Sequence, residues 1–160
     1  MFLGEHEYYD KRWMFEDSLR MPFLVRYPGQ IRPGSTNNDI ITNVDFAPFF
    51  LDCARAATPS DMQGRSFRTN LAGKTPANWP TSMYYRYWMG ASGVPAHYGV
   101  RTKRYKLIYY YESPSGWELY DLEKDPLEIN NVYDEPAYAS VVSEMKAELT
   151  RLREHVGDTE

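Results

Sequence analysis

Apolar residues recur at helical spacing in two stretches of the chain and in short aromatic or β-branched runs elsewhere. The clearest helix is predicted over 136–155, where Tyr138, Val141, Val142, Met145, Leu149 and Leu152 fall on one face. Phe46, Phe49, Phe50, Cys53 and Ala57 repeat the same three-four spacing and predict a helix over 46–56, with Asp45 as N-cap and Pro48 in the first turn. A shorter helix is predicted over 13–19, where Glu16 and Arg20 stand four apart with the acid first, the favourable order for a helical pair. Met21-Pro22 ends it, because the residue before proline avoids the helical region. Phe23-Leu24-Val25 is then a continuous apolar run, as in a strand buried on both faces of a parallel sheet. Residues 4–10 read as loop, 39–44 as a short extended piece, and 66–71 as a single helical turn.

After a linker at 72–80 holding Gly73, Pro76 and Pro80, the pattern changes. Runs at 83–88, 97–102, 105–111 and 117–120 are strand-like, and Thr102-Lys103-Arg104 and Ser113-Pro114-Ser115-Gly116 between them suit an antiparallel meander. The one apolar stripe of the last helix needs one partner, and this sheet supplies it. The expected organisation is therefore two parts, 1–78 and 79–160.

Composition narrows the function. A net charge of −4 argues against a nucleic-acid surface, which needs a basic excess. No apolar run approaches the roughly 20 residues of a membrane helix. Cys53 is the single cysteine, so neither an internal disulfide nor a cysteine metal cluster can form. Aromatic residues make up 16% of the chain, with 14 Tyr. Those between Trp79 and Tyr120 either line a sugar-binding face or serve as ordinary half-buried strand residues.

Few residues can carry chemistry. There is no Gly-x-Ser-x-Gly elbow, phosphate loop or His-Glu-x-x-His pair. His6, between Glu5 and Glu7, reads either as a metal ligand or general acid or as a solvated loop residue. Cys53 sits in the apolar stripe of its helix and reads as a small buried hydrophobe. Lys11 reads either as a surface lysine or as a compact ammonium for an anionic ester oxygen of phosphate or sulfate.

A family resemblance separates these readings. Gly4-Glu5-His6, Asp10-Lys11-Arg12, Phe15 to Arg26 and Pro28-Gly29 resemble the type I, arylsulfatase-like sulfatases. So do Asn43 to Asp52, Met62 to Phe67, His97 to Thr102, Arg104 to Ile108 and Glu118 to Asn131, in family order across nearly the whole chain. The resemblance implies an α/β chain: the C-terminal end of an alkaline-phosphatase-like α/β domain (1–78), followed by a small α+β subdomain of four antiparallel strands and a C-terminal helix (79–160). It implies a sulfuric ester hydrolase acting on sulfated small molecules or glycans. The attack on sulfur would come from a hydrated formylglycine, with Ca2+ and cationic side chains on the oxygens, and the enzyme would be exported. The formylglycine motif is Cys/Ser-x-Pro/Ala-x-Arg, and Cys53 does not match it, since Arg55 and Ala57 occupy the later positions. The nucleophile and the calcium ligands are expected before Met1, so the chain by itself should be inactive. Lys11 carries over as the sulfate-binding lysine, within Lys11-x4-Glu16-x3-Arg20-x-Pro22, and His97 as a substrate-binding candidate in the small subdomain. Two rivals are a non-catalytic carbohydrate-binding module and a phosphodiesterase or phosphonate hydrolase of the same superfamily.

Overall fold

The computed structural model describes residues 2–88, 93–113 and 115–159. In chain order the elements are β1 (Phe2–Leu3), β2 (Tyr9–Asp10), α1 (Glu16–Leu19), α2 (Asn43–Cys53), α3 (Arg68–Leu71), β3 (Ser82–Tyr87), β4 (His97–Thr102), β5 (Tyr105–Tyr110), β6 (Gly116–Asp121) and α4 (Ala139–Val156). They form two units: Met1–Pro22 with Ser82–Glu160, and Phe23–Thr81.

In the first unit, β3 to β6 make a four-stranded antiparallel meander, each strand paired with its chain neighbour. A Lys103-Arg104 turn joins β4 to β5, with the Tyr105 N–H donating to Thr102 Oγ1 at 3.0 Å. Side chains alternate between the faces. Val100, Leu107 and Leu119 therefore share one face and pack against Met145, Leu149 and Leu152 of α4, the stripe that the periodicity predicts. Each such buried aliphatic contributes about 1.5–3 kcal/mol. Gly157 at φ 74° closes α4 in the left-handed conformation that glycine favours.

The opposite face carries Ile108, Tyr110 and Tyr120, and the N-terminal segment covers it with Phe2, Trp13, Met14 and Phe15. This explains why only Glu16–Leu19 is helical where a helix is predicted over 13–19. Trp13, Met14 and Phe15 are all buried, and three consecutive helical residues, about 100° apart, cannot all face one surface. Met14 seats where β4 has Gly99: a Cβ there would lie 2.6 Å from Met14 Sδ and 2.3 Å from the Leu107 carbonyl oxygen. Residues 4–10, predicted as loop, include part of a small hairpin in which Phe2 pairs with Asp10 and Leu3 with Tyr9.

The second unit is built on α2 and α3 around Phe49, Phe67 and Trp79. Helix α2 starts earlier than the predicted cap, at Asn43. Thr42 is the N-cap, and Asp45 works from inside the first turn, accepting from the Thr42 N–H at 2.8 Å and the Thr42 hydroxyl at 2.9 Å. Its other oxygen accepts the Arg65 N–H at 2.9 Å. Pro48 consequently falls in the second turn, where it offers no N–H to the Val44 carbonyl. Gly64 passes so close that a Cβ would lie 1.9 Å from that carbonyl oxygen. Phe46, Phe49 and Cys53 face the cluster as expected, but Phe50 is 59% exposed. Residues 39–42 form no strand. Neither does Phe23–Val25, which pairs with no described segment. A three-residue run without a ladder partner has nothing to hold it as a strand. Phe23 instead sets its edge against Phe46, Phe67 and Phe49, with centroids 5.1, 5.7 and 6.3 Å away, and Leu24 is 95% exposed.

Candidate functional site

Lys11 follows β2 in a bend, with its side chain exposed, and makes no ion pair with a described side chain. The next residue, Arg12, has φ 94°, a region that costs a non-glycine residue about 1–3 kcal/mol. Both of its peptide groups are held by side chains. Its N–H donates to Ser18 Oγ at 3.1 Å, and its carbonyl accepts the Tyr85 hydroxyl of β3 at 2.8 Å.

A charge network ties the following residues to the sheet. Glu16 accepts from Arg101 of β4 at 2.9 and 3.2 Å and pairs with Lys106 of β5 at 3.0 Å. Lys106 also pairs with Glu128 at 2.5 Å, and Glu128 accepts the Glu16 N–H at 2.6 Å. The Lys106 side chain is fully buried, and Glu128 is 2% exposed. Burial pushes the Glu16 carboxyl up, but Arg101 and Lys106 outweigh it and hold its pKa down at about 2. For Glu128 burial wins over the attraction of Lys106, and its pKa is raised. The expected Glu16–Arg20 helical pair is thus replaced by long-range partners on the sheet. No sequence spacing announces this network, although Lys106 on the same strand face as Ile108 and Tyr110 is a readable signal.

His97 lies on β4 on the same sheet face and is fully buried. Trp13, Tyr85, Tyr87 and Tyr110 surround its ring at centroid distances of 5.3–6.1 Å. Its Nδ1 lies 2.8 Å from the Pro95 carbonyl oxygen, which can only accept, so Nδ1 carries the proton. Burial lowers its pKa, which makes the ring neutral at pH 7 and leaves Nε2 an acceptor. Nε2 is buried and has no hydrogen-bond partner among the described residues. Trp13, two residues after Lys11 in the chain, stacks on His97 at 6.1 Å, while the Lys11 side chain is exposed and the His97 ring is buried.

The remaining sequence candidates have packing roles. His6 stacks on Phe15 at 4.3 Å with φ 52°, and Cys53 is half-buried beside the aromatic core of the second unit. Glu118 accepts the hydroxyls of Tyr110 at 3.2 Å and Tyr120 at 3.0 Å, and burial raises its pKa. The aromatic rings on the α4 side of the sheet largely cover one another: Tyr109 stacks on Trp117 at 4.4 Å, and Trp117 on Tyr133 at 6.0 Å. Among the described residues no group of three or more His, Cys, Asp or Glu could hold a metal ion. These residues therefore do not fit a calcium site. No helix among them is long and apolar enough to cross a membrane.

Comparison with known proteins gives this geometry its context. The family model described as N-sulphoglucosamine sulphohydrolase, C-terminal, matches residues 4–155. The chain belongs to the sulfatases, as a C-terminal portion. An N-acetylglucosamine-6-O-sulfatase of Bacteroides thetaiotaomicron is 44% identical over 99% of this sulfatase chain, which spans 29% of that relative's length. An arylsulfatase of Clostridium perfringens is 29% identical over 85% of the chain, which covers 28% of it. A solved structure of a protein in complex with its substrate D-glucosamine-2-N,6-O-disulfate superposes with TM-score 0.94 at 43% identity, over 99% of this chain and 33% of that one. The sulfatase fold expected from the sequence is thus present, with the four-stranded sheet and C-terminal helix in place.

Proposed function

We propose that this chain is the C-terminal portion of an exported sulfatase that hydrolyses sulfate esters on glucosamine-type sugars of sulfated glycans. The observation that carries this reading is the similarity, over 99% of the chain, to an N-acetylglucosamine-6-O-sulfatase. Similarity to a protein bound to a disulfated glucosamine supports the same substrate class, and a Drosophila melanogaster relative named as an extracellular sulfatase supports export. The formylglycine nucleophile and calcium belong to the family resemblance, and sequence beyond this chain would supply them. The division at residue 78 into catalytic-domain end and subdomain belongs to the same reading.

Within it, Lys11 binds the sulfate group. An exposed ammonium on a rigidly seated bend suits sulfate oxygens that gain charge as the ester bond breaks, and a preorganised cation stabilises that charge without reorganisation. His97, buried among its ring neighbours, is the second substrate-binding candidate of this reading. Its neutral Nε2 suits a sugar hydroxyl donor, and a buried acceptor without a partner calls for one. The test is sulfate release from N-acetylglucosamine 6-sulfate by the complete enzyme carrying this chain, set beside phosphonate and phosphodiester substrates. Lys11→Ala should lower kcat/KM by about a hundredfold, the scale of losing one preorganised charge-stabilising group. Turnover of the phosphorus esters with no sulfate release would overturn the reading.

A further inference from the structure

The exposed lysine is expected to be mobile, yet the residues on both sides of it are fixed. Upstream, the pairing of Phe2 with Asp10 holds the chain to the last residue before Lys11. Downstream, the Arg12 N–H belongs to the same peptide plane as the Lys11 carbonyl, so its hydrogen bond to Ser18 Oγ at 3.1 Å sets the backbone on the C-terminal side of Lys11. The following plane is set by Tyr85, whose hydroxyl donates to the Arg12 carbonyl at 2.8 Å. Between the two planes Arg12 is left at φ 94°. An L-residue persists there only when its surroundings over-determine it, and such residues cluster at ligand clamps and active sites.

We propose that Tyr85 and Ser18 are positioning residues for Lys11, clamping Arg12 in its left-handed conformation so that the ammonium points at one place. This rests on the reading of Lys11 as the sulfate contact. Each clamp group comes from an element with its own anchor. Tyr85 stands on β3, paired with Gly99 of β4. Ser18 lies in α1, whose first residue, Glu16, is pinned by Arg101, Lys106 and Glu128. Loss of either bond frees one plane, and Arg12 can then relax to negative φ. That rotation swings the Lys11 side chain away while leaving its charge intact. The buried charge network thus reaches the lysine through this clamp.

The experiment uses the complete sulfatase carrying this chain, with Lys11→Ala, Tyr85→Phe, Ser18→Ala, Ser18→Thr and the double variant Lys11→Ala/Tyr85→Phe. The readouts are kcat and KM on N-acetylglucosamine 6-sulfate, with thermal midpoints alongside. Tyr85→Phe removes one oxygen and should lower kcat/KM about tenfold, since small misplacement of a positioned group is costly. Ser18→Ala should act in the same direction, and Ser18→Thr, which keeps the hydroxyl, should restore most of the loss. The deciding result is non-additivity: in the Lys11→Ala background Tyr85→Phe should change kcat/KM less than twofold, because nothing remains to be positioned. A purely structural tyrosine would lose the same factor in both backgrounds, and that outcome overturns the clamp. Tyr85→Phe and Ser18→Ala both within twofold of wild type, with Lys11→Ala impaired, overturns the clamp alone. An unimpaired Lys11→Ala overturns the clamp and the sulfate-contact reading together.

Discussion

Replacing Glu16 by Gln removes the charge at the centre of the network while keeping the side-chain length. The Glu16 carboxylate bridges Arg101 and Lys106, and its side chain is 16% exposed. Its pKa falls from 4.5 to about 2 on folding. At about 1.36 kcal/mol per unit this difference corresponds to roughly 3 kcal/mol at pH 7, and solvent screening of the partly exposed pair reduces it to about 2–3 kcal/mol. Removing one partner from a well-buried ion pair costs about 3–5 kcal/mol, so the two figures meet near 3. The sign follows from the lowered pKa. The contribution is complete above the unfolded value near 4.5, and it is lost as pH falls toward about 2. Urea unfolding of wild type and Glu16→Gln, followed by tryptophan fluorescence, should show a gap of about 2–3 kcal/mol at pH 7 that is roughly halved at pH 3. A gap under about 1 kcal/mol at pH 7, or one that does not narrow on acidification, refutes the network as the anchor of α1.

Other outcomes follow from single contacts. Gly99→Ala drives a Cβ to within 2.6 Å of Met14 Sδ and 2.3 Å of a backbone oxygen, and should cost about 1–3 kcal/mol in urea melts. Leu149→Ala, at the centre of the stripe on α4, should cost about 2–5 kcal/mol by the same measurement. Thr42→Ala removes a hydroxyl that donates to Asp45 at 2.9 Å and should cost about 1 kcal/mol, with faster amide exchange confined to the first turn of α2. Glu118→Gln tests the opposite titration: burial raises the Glu118 pKa, so its contribution is present below 4.5 and lost as pH rises through the folded value. The variant should therefore gain on wild type in urea melts between pH 4 and pH 7.

The sheet and its helix were legible because their signals are local. Met145, Leu149 and Leu152 declare a stripe within 8 residues, and Thr102-Lys103-Arg104 marks a hairpin. The seat of Lys11 was not legible, because its causes are distant in sequence. Glu16 meets an obvious partner in Arg20 four residues on, but finds a better one 85 residues away in Arg101. Partners fixed on strands cost less ordering entropy than a flexible side chain at a helix end. Trp13, Met14 and Phe15 read as one turn of helix until the sheet face they cover is known. The role proposed for Lys11 rests on resemblance, since no spacing rule separates a ligand lysine from a surface one. Phe23-Leu24-Val25 reads as a strand on composition, but a strand exists only where a neighbour pairs with it.

The first unit joins residues from both ends of the chain, and this sets an order of events during synthesis. The segment with Trp13, Met14 and Phe15 leaves the ribosome before the sheet it covers, and Glu128, whose carboxylate takes the Glu16 N–H, follows 112 residues later. At roughly 5–20 residues per second, that interval is about 6–22 s, during which three large apolar side chains have no sheet to cover. The same residues that make a tight seat in the finished protein are thus a sticky stretch of nascent chain until the strands they cover have been made.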